Sequence, residues 1–107
     1  MNSPRDDYQG VQDNSAIPEP SAEIVALYKR HIPDYLQDFM TAVEQKDDEA
    51  VLFHCHKMCS AVKTMGFENI AELLEAMQRE KPAGENLVEI SGRVKKLIEH
   101  TLLLLEK

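Results

Sequence analysis

An all-α, antiparallel up-down-up-down four-helix bundle is the fold this sequence predicts, and three features predict it. Apolar residues recur every three or four positions along four successive stretches, the period of one helix face. No stretch shows the period-two Val/Ile/Thr alternation of a half-buried strand. The breaks fall at Lys46-Asp47-Asp48, Gly66 and Lys81-Pro82-Ala83-Gly84, and connections of about two to five residues turn each helix back on its neighbour. A dimer of helical hairpins competes with this reading. Each helix carries enough apolar surface for an intrachain bundle, so a monomer is expected.

Residues 1–20 hold Pro4, Pro18 and Pro20 among Asp, Asn, Ser and Gln, without sustained periodicity. They are read as a flexible tail preceding a domain over 21–107, and no chemistry is assigned to Tyr8, Val11 or Ile17 within it. Ser21 is the expected N-cap of the first helix, in which Ile24, Tyr28, Ile32, Tyr35, Phe39 and Val43 mark the apolar face as far as about Gln45. Pro33 removes one hydrogen bond and crowds the preceding turn, which predicts a kink, or two abutting helices, between Arg30 and Pro33. His31 beside it is read as a surface residue.

Asp47 or Asp48 is suited to cap the second helix, where a carboxylate also complements the positive helix end. That helix is expected to reach about Met65, with Gly66 supplying the left-handed position that ends it. Ile70, Leu73, Leu74 and Met77 begin a third series almost at once, so helices two and three are antiparallel neighbours. The fourth helix is expected from about Glu85 through Leu87, Ile90, Val94, Leu97, Ile98, Thr101 and Leu105. Gly92 inside it either permits close helix approach or is simply tolerated. The run Leu102 to Leu105 spans more than one face, so the last turn is expected to be buried or to meet another surface.

Composition narrows the function classes. The net charge of −7 opposes binding to phosphate backbones and to anionic membranes, which recruit basic surfaces. The N-terminus lacks an apolar signal region, and nowhere do 18 consecutive apolar residues occur. A soluble cytoplasmic protein is expected, free-standing, with Met1 opening a polar tail and Lys107 closing just after a helix. The two cysteines, Cys55 and Cys59, lie four apart on one helix and are read as free thiols of a reducing compartment.

The chemistry concentrates in the second helix. At roughly 100° per residue, Cys55, Met58, Val62 and Met65 project to one side, while His56, Cys59, Ser60 and Lys63 project to the other. The first set is apolar and faces the core. The second presents a histidine beside small residues, open to another protein's active site.

His56-Lys57-Met58-Cys59-Ser60-Ala61-Val62-Lys63-Thr64-Met65-Gly66 resembles the signature of histidine-containing phosphotransfer (HPt) domains. That signature has a phosphorylatable His, a Lys three and a Gly four positions on, and a Gly ten positions on. The resemblance extends over roughly residues 22–79, where Tyr28-Lys29-Arg30-His31-Ile32-Pro33-Asp34-Tyr35-Leu36 is similar to the segment before the phosphohistidine helix in hybrid sensor kinases. It implies a four-helix bundle with no kinase or phosphatase activity of its own, whose histidine relays a phosphoryl group between receiver aspartates. Receiver domains of a hybrid sensor kinase or response regulator are then the implied partners. The receiver supplies Mg²⁺, so no cofactor of this chain is expected.

Carried over, the resemblance makes His56 the phosphoacceptor and Gly66 the structural glycine. Two positions depart from it: the lysine is Cys59 and the first glycine is Ser60. Serine keeps the approach open and its hydroxyl is able to donate to a phosphoryl oxygen. Lys63, two turns from His56 on the same face, and Lys57, adjacent but about 100° around, are the candidate replacement cations. Lys63 starts roughly 10 Å from His56 along the axis and has to fold back to reach it. Phe53, projecting within about 60° of His56, is read as receiver-docking surface, as are Leu52 and Phe67, for which completion of the core is the competing role.

Three other readings compete. His54, Cys55, His56 and Cys59 do not form a convergent metal cluster, because the two histidines diverge by about 200° and only the cysteines share i,i+4 spacing. A Cys59–His56 nucleophile pair lacks an orienting third group, and a helix interior offers no free N–H groups for an oxyanion hole. An interaction module of the same fold that has lost phosphotransfer with its lysine is the alternative that remains.

Overall fold

Burial of one stripe on each of four helices organises the chain. The computed structural model describes residues 20–106, so the expected tail, with Tyr8, Val11 and Ile17, lies outside the described residues. The helices are α1 (Ala22–Gln45), α2 (Asp48–Met65), α3 (Glu68–Glu80) and α4 (Gly84–Leu105). Each packs on its neighbour in sequence, and α4 closes the ring against α1, which leaves α1–α3 and α2–α4 as the diagonal pairs with their backbones apart. The helix carrying the histidine therefore sits between α1 and α3.

Local chemistry sets each boundary. Ser21 Oγ accepts the N–H of Ile24 at 3.2 Å, capping α1. Of the two aspartates expected to cap α2, Asp47 does so, its Oδ1 accepting Ala50 N–H at 3.1 Å. Gly66 takes φ +83° and donates its N–H to Lys63 O, while Phe67 N–H reaches Val62 O. These two bonds satisfy carbonyls that the end of α2 leaves without helical partners. Lys46 and Lys81 occupy the same left-handed region at φ 57° and 49°.

The expectation of two abutting helices near Pro33 is corrected: α1 runs unbroken from Ala22 to Gln45. Pro33 is exposed, whereas Tyr28, Ile32, Leu36 and Phe39 on both sides of it are buried. One lost backbone bond on the solvent side does not outweigh burial of a stripe that continues through it, each large side chain contributing about 1.5–3 kcal/mol.

Phe39, Ile32, Met58, Leu74, Val62, Val94 and Ile98 are fully buried and draw on all four helices. At one end of the bundle Thr101 Oγ1 donates to Ile98 O at 2.6 Å, so Tyr28 OH is the donor in its 2.8 Å contact with Thr101. This buried hydroxyl pair links α1 to α4. Among the described residues, a Cβ at Gly92 would meet nothing within 4 Å, so that glycine does not mediate close approach of these helices. The C-terminal turn is split: Leu102 and Leu105 pack on the core, while Leu103 and Leu104 are 65% and 49% exposed. Among the described residues, no helix is long and apolar enough to cross a membrane.

Candidate functional site

The wide buried arc of α2 decides which of its polar residues reach solvent. Because α1 and α3 both cover it, Val51, Cys55, Met58, Cys59, Val62 and Met65 are all buried. Cys59, placed by its projection on the open face, is therefore corrected to the core, at 4% exposure. It lies only about 40° around the helix from Cys55, within the strip that α3 covers. Its thiol donates to Ala71 O at 3.7 Å, and that of Cys55 to Leu74 O at 3.3 Å. Burial, reinforced by the neighbouring Cys59, pushes the Cys55 thiol up to about 12. Cys59 is also raised, by burial first and by Glu75, against the opposing pull of Lys63 and Gln78. Both are neutral thiols, turned into the α2–α3 seam.

His56 and Ser60 are exposed at the rim of that seam. They line a cavity of about 380 Å³ with Cys59 and Lys63 from α2 and Glu75, Gln78 and Arg79 from α3. His56 Nδ1 lies 3.2 Å from Gln78 Oε1. Gln78 Nε2 donates to Leu74 O at 3.3 Å. A carbonyl only accepts, so the amide nitrogen must face Leu74 and the amide oxygen must face the histidine. It follows that Nδ1 carries the ring proton and donates it, leaving the Nε2 lone pair available.

Lys63 is exposed and paired with the Glu75 carboxylate across the cavity. That hydrogen bond and charge raise its pKa. It has not folded back along α2 to His56. Lys57 turns the other way: its Nζ lies 4.5 Å from the centre of the Tyr35 ring and 5.4 Å from that of Phe53. It sits on the α1 rim, outside the cavity.

The expected docking residues separate as well. Phe53 is 60% exposed, one turn before His56, with its ring against His54. Leu52 is half-buried and lines a hollow with Pro82, Ala83 and Leu87 at the α3–α4 connection. Phe67 packs edge-on against Tyr28 with centroids 5.7 Å apart and is half-buried on the core. It lies eleven residues beyond His56, roughly 16 Å along the helix direction, so Phe67 finishes the core and does not frame the histidine.

Glu75, Gln78 and Arg79 had no part in the sequence reading, though a signal for them existed. With the hairpin pivot at Gly66 and Phe67, residues at equal distances on either side fall opposite one another. Counting ten back from Gly66 to His56 and ten forward from Phe67 arrives at Met77, next to Gln78. Met77 is buried and Gln78 half-buried, beside the histidine. Among the described residues, no three His, Cys, Asp or Glu side chains converge to hold a metal ion.

A family model described as Hpt domain matches residues 23–103, covering all of α2 and α3 and most of α1 and α4. No curated protein and no solved structure matches the chain.

Proposed function

Because this chain belongs to the Hpt domain family, whose members are phosphocarrier modules of two-component phosphorelays, we propose that His56 accepts a phosphoryl group from a receiver-domain aspartate and passes it to another receiver. The observation that carries this reading is the fixed tautomer of His56. Its Nδ1–H is held by Gln78, which leaves Nε2 of this exposed residue as the available nucleophile.

The step balances without a base. The Nε2 lone pair attacks phosphorus, the P–N bond forms, and the acyl-phosphate P–O bond breaks with its electron pair leaving on the aspartate carboxylate. The ring becomes an imidazolium that keeps its Nδ1 proton on Gln78. Return transfer reverses each change. Gln78 thus acts as a positioning residue, since a ring free to rotate would present either nitrogen.

The metal that assists phosphoryl transfer comes with the receiver, and this chain acts as a carrier with no kinase or phosphatase activity. Ser60, which lines the cavity with His56, keeps the approach to Nε2 clear and offers a hydroxyl donor to a phosphoryl oxygen. Phe53 and the Lys57 beside it form the apolar and cationic rim on which a receiver docks, with Leu52 on the opposite rim. We place the protein in the cytoplasm as a monomer.

The burial of Cys59 favours one alternative, a receiver-binding module that has lost transfer, because no cation stands at that position. Incubation with a phosphorylated receiver distinguishes them. The carrier reading predicts acid-labile, alkali-stable label on the wild-type protein and none on His56→Gln. Label that persists in His56→Gln, or a receiver that binds without transferring, overturns it.

A further inference from the structure

We propose that Arg79 of α3 supplies the cation for a phosphoryl group on His56, replacing from the facing helix the charge that Cys59 does not provide on α2. This rests on His56 being the phosphoacceptor. Of the two cations that line the cavity, Lys63 is engaged by Glu75, a carboxylate in the same cavity. Those two charges cancel. Arg79 is the cation left over, and it follows directly on Gln78, which contacts His56.

Its own tether is weak. Among the described residues, the Arg79 guanidinium meets only its sequence neighbour Glu80, at 3.8 Å, with side chains 69% and 68% exposed. Exposed pairs of this kind contribute little and rearrange readily. A phosphoryl group brings two negative charges into a cavity that already contains Glu75, so a weakly engaged cation at its wall has the most to offer. The planar fork of arginine matches phosphoryl oxygens with two parallel hydrogen bonds, geometry that a lysine ammonium lacks. From α3 the guanidinium approaches the phosphoryl oxygens from the side, leaving the solvent face of His56 for the receiver.

The test uses phosphoramidate as a small phosphodonor, so no receiver is needed. The His56 Nε2–P bond forms as the donor's P–N bond breaks, ammonia leaves with that electron pair, and the ring keeps its Nδ1 proton. The ratio of phosphorylated to free protein at fixed phosphoramidate and ammonium, read by phosphorus NMR, measures how well the folded protein holds the phosphoryl group. Arg79→Ala should lower that ratio about tenfold, the loss of one charge-assisted contact. Arg79→Lys should recover part of it, and Arg93→Ala, the same charge change on the exposed face of α4, should leave it at the wild-type value. An Arg79→Ala ratio equal to wild type, or an equal fall in Arg93→Ala, overturns the assignment while leaving His56 as the acceptor. Failure of the wild-type protein to form phosphohistidine with either phosphoramidate or a phosphorylated receiver overturns both.

Discussion

Cys55 and His56 are adjacent in the chain and belong to different regions of the molecule. The first is wholly buried, its thiol turned to a carbonyl of α3; the second is exposed, its ring held by a side chain of the same helix. The buried seam of α2 responds to packing and to proton affinity in a dry environment. The open rim responds to which nitrogen carries a proton and to which charges lie nearby. One residue of helical register separates stability from chemistry here, because about 100° of rotation carries a side chain from under α3 to its edge.

The sharpest test of that contrast is a pair of substitutions two residues apart. His56→Gln should abolish the label and leave the denaturation midpoint nearly unchanged, since the side chain is exposed. Met58→Ala, at a fully buried position, should cost about 2–5 kcal/mol by urea titration, with labelling per folded molecule preserved. A large stability loss in the histidine variant would falsify the division.

Alkaline pH isolates the buried side further. The Cys55 thiol rises from 9.0 to about 12 on folding, so the native state retains a proton that the unfolded chain releases. Its contribution to stability is complete below pH 9.0 and is lost progressively as pH climbs toward about 12. The urea midpoint should fall across that window, and less steeply in Cys55→Ala. Identical slopes would show that the thiol is not insulated as its burial implies.

Gly66 serves both regions, since its turn sets α3 against α2. At φ +83° an alanine is strained, and Gly66→Ala should cost roughly 1–2 kcal/mol while also lowering phosphotransfer, because Gln78 is positioned through the same hairpin. Unchanged transfer would detach the histidine from the hairpin's geometry. The smallest effect belongs to a residue that touches neither region. Gly92→Ala adds a Cβ where nothing lies within 4 Å and should stabilise the protein by about 0.5–1 kcal/mol, without altering the label.

Sequence by itself determined the four helices, their order and most of their ends, because those depend on interactions within a few residues. Ser21, Asp47 and Gly66 act through their own backbone neighbourhood, and the apolar period of each helix is a property of that helix alone. The same locality made His56 conspicuous, and the motif around it led to the Hpt family. What depended on α3 was decided only by the tertiary structure. The burial of Cys59, the capture of Lys63 by Glu75, the Gln78 contact that fixes the histidine tautomer and the place of Arg79 all arise across the α2–α3 seam. A helical projection gives the direction of a side chain and is silent on what covers it. That covering surface exists only once Gly66 has turned the chain and laid a second helix beside the first.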